Sequence, residues 1–533
     1  MKRRTTKALS LLLASASILA LLAGCGGGGG TAENSNSPAP SDSSAPSGET
    51  TYADTIVIGD NTEPKNLDPD QSWGAAEARF SCFVYEGLVR EDADGNIIPL
   101  LATDWKISED GTVYTFNLKP DVKFSDGTPV TGEDWIWSLE RARDNPESNS
   151  RTVASNIVSI EAPDDATLVI TLDSPVASFL ANCCKWNMVV KSKAHYEAVG
   201  AEGFLTQPMG TGPYAVTEWK KGEYIQCVAN EYYHVEGQPY TKNLTYKIIT
   251  DDNTRLLQLQ SGDIDIMGMV PVNMMAQIDS DPNLTAAAYT GSQIRFLVIN
   301  CADEVTGKKE VRQALDYATD KQAIVDMVAN GYGKPVSTYV SNIHGDLHNS
   351  ELADRGPDIE KAKELLTQAG YPDGLTLKIN ITSGNTIYEN IATVLQSQWA
   401  AAGISLEIEP LESGTLVESL GAGNYQLTIL QWTDSTPDPS DISAYECRYS
   451  DSFQWYSGVQ DQEIEDAYMA TISETDPAKR AELFWTLQEL VYERTNIVPL
   501  FQADWAYGYS SKIEGISVTP FNKINVAELK KAN

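Results

Sequence analysis

Hydrophobic and polar positions alternate clearly in residues 102–141, and the pattern changes character along this stretch. Tyr114, Phe116 and Leu118 alternate with polar neighbours, which predicts a half-buried β-strand. Two Asp-Gly pairs flank this strand and supply the positive φ angles that tight turns require. From Glu133 onward the apolar spacing becomes helical. The pattern predicts an antiparallel meander that runs into a helix, which is a fold element without a catalytic group.

Strand and helix patterns alternate in the C-terminal half of the chain. Helices are predicted at 311–328, 358–369, 387–395 and 476–494, and strands at 55–58, 404–408 and 427–430. Asp358 is placed to cap the start of one helix, and Gly370 and Gly403 are placed to end two others. This alternation favours a mixed sheet covered by helices. About 480 residues follow the N-terminal segment, which is too many for one hydrophobic core.

The first 24 residues predict an export signal. A basic start is followed by an apolar segment, residues 8–23, that is too short to span a bilayer. The segment ends in Leu-Ala-Gly-Cys, which resembles a lipobox and predicts diacylglycerol attachment at Cys25. An ordinary secretory signal with an incidental cysteine is the alternative. Residues 25–53 are rich in Gly, Ser and Pro and are predicted to form a flexible tether.

Charge and motif content narrow the classes of function. The chain has 39 Lys and Arg against 74 Asp and Glu, a net charge of −35, which argues against nucleic acid or anionic lipid as partners. No phosphate-binding loop, H-E-x-x-H, G-x-S-x-G or C-x-x-C motif occurs, and the chain has only four histidines. The few histidines leave a His-based hydrolase few possible catalytic positions, although a surface peptidase stays open as a rival to a binding protein.

Three consecutive motifs resemble those of one known family. W-x-x-S-x-D-G-x-x-Y-x-F-x-L begins at Trp105, V-K-F-x-D-G-x-P begins at Val122, and D-x-x-x-S-x-x-R ends at Arg141. Further matching blocks lie at 85–89, 210–214, 261–265, 311–315 and 361–366. The chain therefore resembles solute-binding protein family 5 of bacterial ABC importers, the oligopeptide- and dipeptide-binding group.

The resemblance implies an α/β fold of two hinged lobes, of the periplasmic-binding-protein type, with a subdomain inserted into the first lobe. On this basis lobe I is predicted at 54–293 plus 504–533, with the insertion at about 76–207, and lobe II at 294–503. The cleft between such lobes is where a ligand would bind.

The function implied is that of an extracytoplasmic binding component, lipid-anchored to the outer face of the cell membrane and active as a monomer without a cofactor. It would capture an oligopeptide non-covalently and deliver it to a permease powered by separate ATPase subunits. An oligosaccharide or a nickel chelate as the solute, or peptide sensing without import, are the alternatives.

One loop departs from the family pattern. In peptide-binding relatives, an aspartate three residues after the position of Trp432 pairs with the ammonium of the peptide. Here that position holds Ser435, and the carboxylate lies one residue earlier, at Asp434. Either Asp434 binds the ammonium or this contact is absent. A structural role for Asp434 as the cap of a turn is the competing interpretation.

Two further ligand contacts follow from the resemblance. Relatives that prefer short peptides hold the C-terminal carboxylate with basic residues at positions that correspond to Thr382 and Tyr388. No basic residue occurs within 381–390, so the resemblance argues against a dedicated dipeptide binder. The lobe I segment that approaches the peptide backbone corresponds to Trp73, Gly74 and Ala75. A core position is the competing interpretation of the tryptophan.

His344, Asp346 and His348 form the one metal-like pattern in the sequence and could bind Ni²⁺ or Zn²⁺. Their glycine- and asparagine-rich surroundings favour an exposed loop over a metal site. Outside the cell an even number of cysteines permits disulfides, although their pairing is not readable from the sequence. The cysteines beyond the lipobox are Cys82, Cys183, Cys184, Cys227, Cys301 and Cys447.

Overall fold

The computed structural model describes residues 51–72, 74–449 and 457–533. The α-helices are α1 (Ala75–Val84), α2 (Gly132–Asp144), α3 (Arg151–Ala154), α4 (Phe179–Asn182), α5 (Lys193–Phe204), α6 (Asp252–Ser261), α7 (Met275–Asp279), α8 (Lys309–Tyr317), α9 (Lys321–Val328), α10 (Ile359–Gln368), α11 (Thr386–Ala400), α12 (Ser413–Gly421), α13 (Ser440–Cys447), α14 (Gln462–Ser473) and α15 (Pro477–Arg494).

The strands are β1 (Thr55–Asp60), β2 (Val89–Glu91), β3 (Ile97–Pro99), β4 (Ala102–Ile107), β5 (Val113–Leu118), β6 (Ile157–Asp164), β7 (Thr167–Leu172), β8 (Tyr214–Lys220), β9 (Tyr224–Ala229), β10 (Asn243–Ile248), β11 (Ile266–Met267), β12 (Leu284–Ile299), β13 (Gly333–Pro335), β14 (Leu375–Thr382), β15 (Ile404–Leu411), β16 (Leu427–Trp432), β17 (Ile497–Ser510), β18 (Ile513–Glu514) and β19 (Lys530–Lys531).

The largest sheet has a mixed strand order, β15-β14-β16-β12-β17-β11-β1-β10-β9-β8, with β13 also paired to β17. The antiparallel strands β12 and β17 are much longer than their neighbours, and each passes through both halves of the sheet. One half contains β1 and β8–β11, and the other contains β13–β16. We call these halves lobe I and lobe II. The two long strands therefore connect lobe I with lobe II.

The pairing of β12 with β17 is interrupted between Thr290 and Ile294. A Cβ atom on Gly291 would lie 2.5 Å from the carbonyl oxygen of Ala503, so the close approach of the two strands here requires glycine. The side-chain amide of Gln502 donates to the carbonyl oxygen of Gly291 at 2.6 Å. This irregular point lies beside the predicted lobe boundaries, which themselves stay a prediction.

The predicted meander of residues 102–141 is confirmed. Strands β4 and β5 pair antiparallel, with Trp105 opposite Phe116, and belong to a separate four-stranded sheet of order β4-β5-β7-β6. Helix α2 follows with a complete capping box, because the Thr131 side chain accepts from the Asp134 N–H and the Asp134 carboxylate accepts from the Thr131 N–H. The separate sheet lies within the predicted insertion.

Arg141, the last residue of the third motif, joins this insertion to lobe I. Its guanidinium donates to both carboxylate oxygens of Asp68 and to Asp70. Lys191 adds a second cation on Asp70, at 2.7 Å. Both carboxylates are completely buried, so this ion network fixes the chain just before α1. The motif therefore has a structural role.

The other helices and the strands predicted for lobe II are also confirmed, whereas the stretch predicted as one helix at 311–328 forms two, α8 and α9, with Asp320 capping the second. Asp358 and Asp476 accept hydrogen bonds from backbone N–H groups as the N-caps of α10 and α15. Gly370 and Gly403 have the positive φ angles expected after a helix. One face of the sheet packs against α8–α11 around the buried Trp399, and the other packs against α12–α15.

Several N-terminal predictions fall on residues outside the described ranges, including the signal, Cys25 and the tether up to residue 50. The end of the predicted tether is part of the fold, because the Ala53 N–H donates to the carbonyl of Lys531 at 2.8 Å. Among the described residues, no helix is both long and apolar enough to cross a membrane. The six described cysteines are all free thiols.

Candidate ligand-binding site

The candidate site lies at one edge of the sheet in lobe II. Strands β14 and β16 are parallel, so their last residues, Thr382 and Trp432, lie toward the same edge. Antiparallel β12 enters lobe II there, with Ile294 opposite Trp432 and Arg295 opposite Gln431. The carboxyl ends of strands in open α/β sheets are the usual position of ligands.

The loop after β16 is held by its own polar contacts. The Trp432 indole N–H donates to Asp434 Oδ1 at 3.0 Å, and its ring lies 4.2 Å from that of Tyr445. The second oxygen of Asp434 lies 2.8 Å from His344 Nε2. Ser292 lies where the pairing of β12 with β17 is interrupted, and its hydroxyl donates to the Asp434 backbone carbonyl at 3.0 Å. Both carboxylate oxygens of Asp434 are therefore occupied within the protein.

The prediction that His344 lies in an exposed loop is wrong. The segment Asn342–Leu347 forms a 3₁₀ turn, and the His344 side chain is fully buried because it pairs with Asp434. His348 Nδ1 instead lies 2.8 Å from the carbonyl oxygen of Val340. No group of three potential metal ligands occurs within the described part of the chain. The histidine is therefore the counter-ion of the loop carboxylate.

Electrostatics favour a proton on this pair. Burial lowers the pKa of His344, but the adjacent Asp434 carboxylate overcomes that effect and raises the pKa above its usual value. Burial also raises the pKa of Asp434, against the opposing effects of His344 and Trp432. Because both pKa values are raised, the folded pair binds protons more tightly than the two isolated side chains do.

The end of the same loop is fixed by a second buried ion pair. Arg480 donates to both oxygens of Asp438, at 2.5 and 3.1 Å. Asp438 also accepts from the backbone N–H and hydroxyl of Ser440, at the start of α13. Polar contacts therefore fix both ends of the loop between Trp432 and α13, those of Asp434 at the start and those of Asp438 at the end. Ser435, between them, is partly exposed.

Arg295 lies at this edge on the opposite face from Trp432. Its guanidinium carbon is 5.3 Å from the centre of the Phe501 ring. Its Nε atom is buried without a hydrogen-bond partner, and its guanidinium forms no ion pair with another described residue. Burial lowers the pKa of Arg295 to about 10, an effect that the nearby Tyr388 hydroxyl partly offsets.

Tyr388 lies in the first turn of α11, which starts shortly after β14 ends. The Asn385 side chain caps this helix by accepting from the Tyr388 N–H at 3.2 Å. Burial raises the pKa of Tyr388, while Arg295 lowers it. Thr382 is partly buried at the last position of β14. The structure thus places Thr382 and Tyr388 at the same edge as Arg295.

The lobe I residues predicted to contact the ligand form a separate group. Trp73 lies outside the described residues. Gly74 has a φ angle of 146°, which favours glycine, and precedes α1, where Ala75 is exposed. No hydrogen bond or ion pair among the described residues joins Gly74 or Ala75 to the loop after Trp432. Their role in binding stays a prediction.

Two contacts join the inserted subdomain to lobe II beside the site. Lys185 Nζ lies 2.5 Å from Asp441 Oδ2, on the first turn of α13. The backbone N–H of Ala177 donates to the carbonyl of Ile472 at 2.9 Å. The structure therefore has the insertion and lobe II in contact.

A cavity of about 240 Å³ lies elsewhere, entirely within lobe I and its insertion. It is lined by α1, the β2–β3 hairpin, the segment after α4 and residues 517–528. Of the predicted ligand residues that the structure describes, none lines this cavity. Its position therefore does not mark the predicted cleft.

Sequence reasoning missed two residues of the site. The resemblance places the basic residues of relatives at positions 382 and 388, whereas Arg295 lies on an antiparallel strand far away in the sequence. His344 was noticed for metal binding, but its pairing with Asp434 spans 90 residues. An arginine inside an otherwise apolar strand, such as 294–299, was the available signal for the first.

Two α/β lobes connected by paired long strands, with polar groups gathered at the carboxyl ends of strands beside that connection, define a solute-binding protein. The family model for bacterial extracellular solute-binding proteins, family 5 (middle part), matches residues 96–452. The chain belongs to this family.

The sequences of known relatives align with this chain over most of its length. The chain is 27% identical to the probable D,D-dipeptide-binding periplasmic protein DdpA of Escherichia coli, over 88% of this chain and 92% of the relative. It is 26% identical to the glutathione-binding protein GsiB of Salmonella typhi, over 88% and 93%. The solved structure of the periplasmic binding protein DppA from Helicobacter pylori, in complex with peptide STSA, matches with a TM-score of 0.76, 25% identity and coverage of 90% and 99%.

Proposed function

We propose that this protein captures oligopeptides between its two lobes and delivers them to a membrane permease served by separate ATPase subunits. The protein performs no covalent chemistry, and the anchor at Cys25 keeps it at the outer face of the cell membrane. The names of DdpA, GsiB and DppA, which concern dipeptide, glutathione and peptide binding, support a peptide-like solute.

One observation carries the proposal. Trp432 and Arg295 both lie at the carboxyl edge of lobe II, on opposite faces of the sheet and beside the connection between the lobes, and Arg295 has no ion-pair partner among the described residues. A partly exposed aromatic surface and a donor group without an acceptor are features that bind a ligand. The contacts of Lys185 with Asp441 and of Ala177 with Ile472 support closure of the lobes over a bound solute.

The test is direct binding to the purified protein. Pools of tri- to pentapeptides, cello-oligosaccharides and a nickel–histidine chelate would be compared by native mass spectrometry and by intrinsic tryptophan fluorescence. We expect peptides to be retained and the other two classes to be washed out. Retention of a sugar or of the chelate instead would assign a different cargo.

Transport and anchoring need separate measurements in cells. Deletion of the gene is expected to reduce uptake of the peptides that bind, whereas unchanged uptake would indicate a sensor. Cys25→Ser is expected to release the protein from the membrane fraction without changing peptide affinity in the purified protein.

A further inference from the structure

We propose that Arg295 binds the carboxylate of the solute and that the loop after Trp432 does not bind its ammonium. This inference rests on the proposed function, because it assigns the two ends of a peptide-like solute. It also replaces the positions expected from the resemblance, since the carboxylate partner comes from β12 and not from the segment before α11.

Arg295 has no hydrogen-bond or ion-pair partner among the described residues. Burying a guanidinium without an acceptor is unfavourable, so proteins pair buried arginines with carboxylates or carbonyls. Arg79 and Arg480 follow this rule, with bidentate contacts to Asp60 and Asp438. Arg312 donates to several backbone carbonyls. Arg295 differs from all three because it makes no such contact with a described residue. This is the state expected of a group whose acceptor arrives with the ligand.

The environment of Arg295 favours the binding of an anion. The guanidinium lies near the Phe501 ring, which limits its orientations and leaves its donors free for a planar carboxylate. Tyr388 adds a hydroxyl donor and lies in the first turn of α11, where the helix end carries partial positive charge. No carboxylate among the described residues forms an ion pair with Arg295.

The Arg295 guanidinium is accessible to a solute from the edge of the sheet. Gln431 is directly opposite Arg295 in the antiparallel pair, so the two side chains project from the same face of the sheet. Gln431 is exposed to solvent, whereas Arg295 is only partly buried. A solute that enters at this edge can therefore reach the guanidinium without rearrangement of the sheet.

The loop after Trp432 is poorly suited to bind the amino end of the solute. Asp434 already contacts His344 and the Trp432 indole, and it is buried. A solute ammonium would have to compete with His344 for the same buried carboxylate. Ser435, at the position where relatives have the aspartate, is uncharged. The chain therefore supplies its own cation to the loop, and the preferred solutes carry a free carboxylate but need no free amino terminus.

The test compares one random tri- to pentapeptide library in three chemical forms: free, N-acetylated and C-amidated. Each form is incubated with the purified protein, and retained peptides are quantified by native mass spectrometry. We expect equal retention of the free and N-acetylated forms and about 10- to 100-fold weaker binding of the amidated form. A protein that recognises the ammonium would reject the acetylated library, and that result would overturn the inference while leaving the proposed function intact.

Two variants complete the design. Arg295→Met is expected to bind free and amidated peptides equally weakly, and Arg295→Lys to recover part of the preference for the free acid. Arg151→Gln, on the exposed surface of α3, is the matched control and should behave as wild type.

If no library is retained, the proposed function fails, and the cargo that co-purifies with the protein decides the inference by itself. An anionic cargo that is lost from Arg295→Met would support the role of Arg295. A cargo that remains bound in that variant would overturn it.

Discussion

Arg141 and Arg295 are two arginines whose surroundings are opposite. Arg141 contacts the buried carboxylates of Asp68 and Asp70, whereas Arg295 lies near the Phe501 ring and forms no ion pair with a described residue. Burial lowers the pKa of both, but the hydrogen bond to Asp68 and the charge of Asp70 raise that of Arg141 above its usual value. Burial leaves the pKa of Arg295 at about 10.

The difference separates two uses of a buried charge. The contacts of Arg141 are complete within the chain, so the residue joins the insertion to lobe I and contributes to folding. Arg295 has no acceptor among the described residues, which costs stability and is useful only when a ligand supplies the missing group. The four predictions below test this comparison, in order of decreasing expected effect.

The largest effect is expected from Arg141→Met. Removing the guanidinium leaves the buried Asp68 carboxylate without its cation, so the free energy of unfolding should fall by about 3–5 kcal/mol. Urea denaturation followed by circular dichroism would measure it. Arg143→Met is the control, because Arg143 pairs only with exposed carboxylates and should change stability by less than about 1 kcal/mol. Equal effects in the two variants would remove the contrast with Arg295.

His344→Gln is expected to lower stability by about 2 kcal/mol at acidic pH, because a buried charge-assisted hydrogen bond is lost. The raised pKa of His344 means that the folded protein binds the proton more tightly than the unfolded chain. The stabilisation is therefore complete below the ordinary histidine pKa and is lost as the pH rises through the raised value.

Melting temperatures of wild type and variant between pH 5 and 9 provide the measurement. The gap between the two proteins should be widest at the acidic end. A gap that widens with rising pH would show that the pair is not held as described.

Arg295→Met should have the opposite sign from Arg141→Met. Replacing this partly buried guanidinium, whose Nε is buried without an acceptor, by an apolar side chain is expected to raise the free energy of unfolding by about 1 kcal/mol, while peptide affinity falls. Urea denaturation and the peptide binding assay are compared on the same samples, with Arg151→Met as the surface control. A loss of stability comparable to that of Arg141→Met would show that Arg295 is a folding residue.

The smallest effect is expected from Lys185→Ala, which removes one contact between the insertion and lobe II. A pair with one partly exposed partner contributes less than about 1 kcal/mol, so bound peptide should dissociate up to about fivefold faster. Stopped-flow tryptophan fluorescence measures this rate, and Lys106→Ala on exposed β4 serves as the control. An unchanged dissociation rate would mean that this contact does not hold the closed form.

Local pattern predicted much of the fold correctly. The meander before α2, the N-caps at Asp358 and Asp476 and the strand that ends at Trp432 all depend on residues within a few positions of one another. Such elements are decided by short-range sterics and hydrogen bonds, which a single stretch of sequence contains. The motif that ends at Arg141 could be recognised, although its partners Asp68 and Asp70 could not.

The candidate site was only partly predictable. The loop with Trp432 and Asp434 was identified as its centre, yet the buried partner His344 was taken for part of an exposed loop. Arg295 was absent from the prediction because nothing near it in the sequence marks a binding residue. Whether a charged side chain has a partner depends on contacts between distant segments.

By itself, the sequence determined the order of strands and helices, the acidic character of the chain and its membership of a binding-protein family. Only the tertiary structure decided which charges are paired. Pairing brings together residues such as His344 and Asp434, or leaves Arg295 without an acceptor, through the way in which β12, β16 and α11 meet at one edge of the sheet. Local propensity determines each of these elements, but it does not determine which side chains of different elements come into contact.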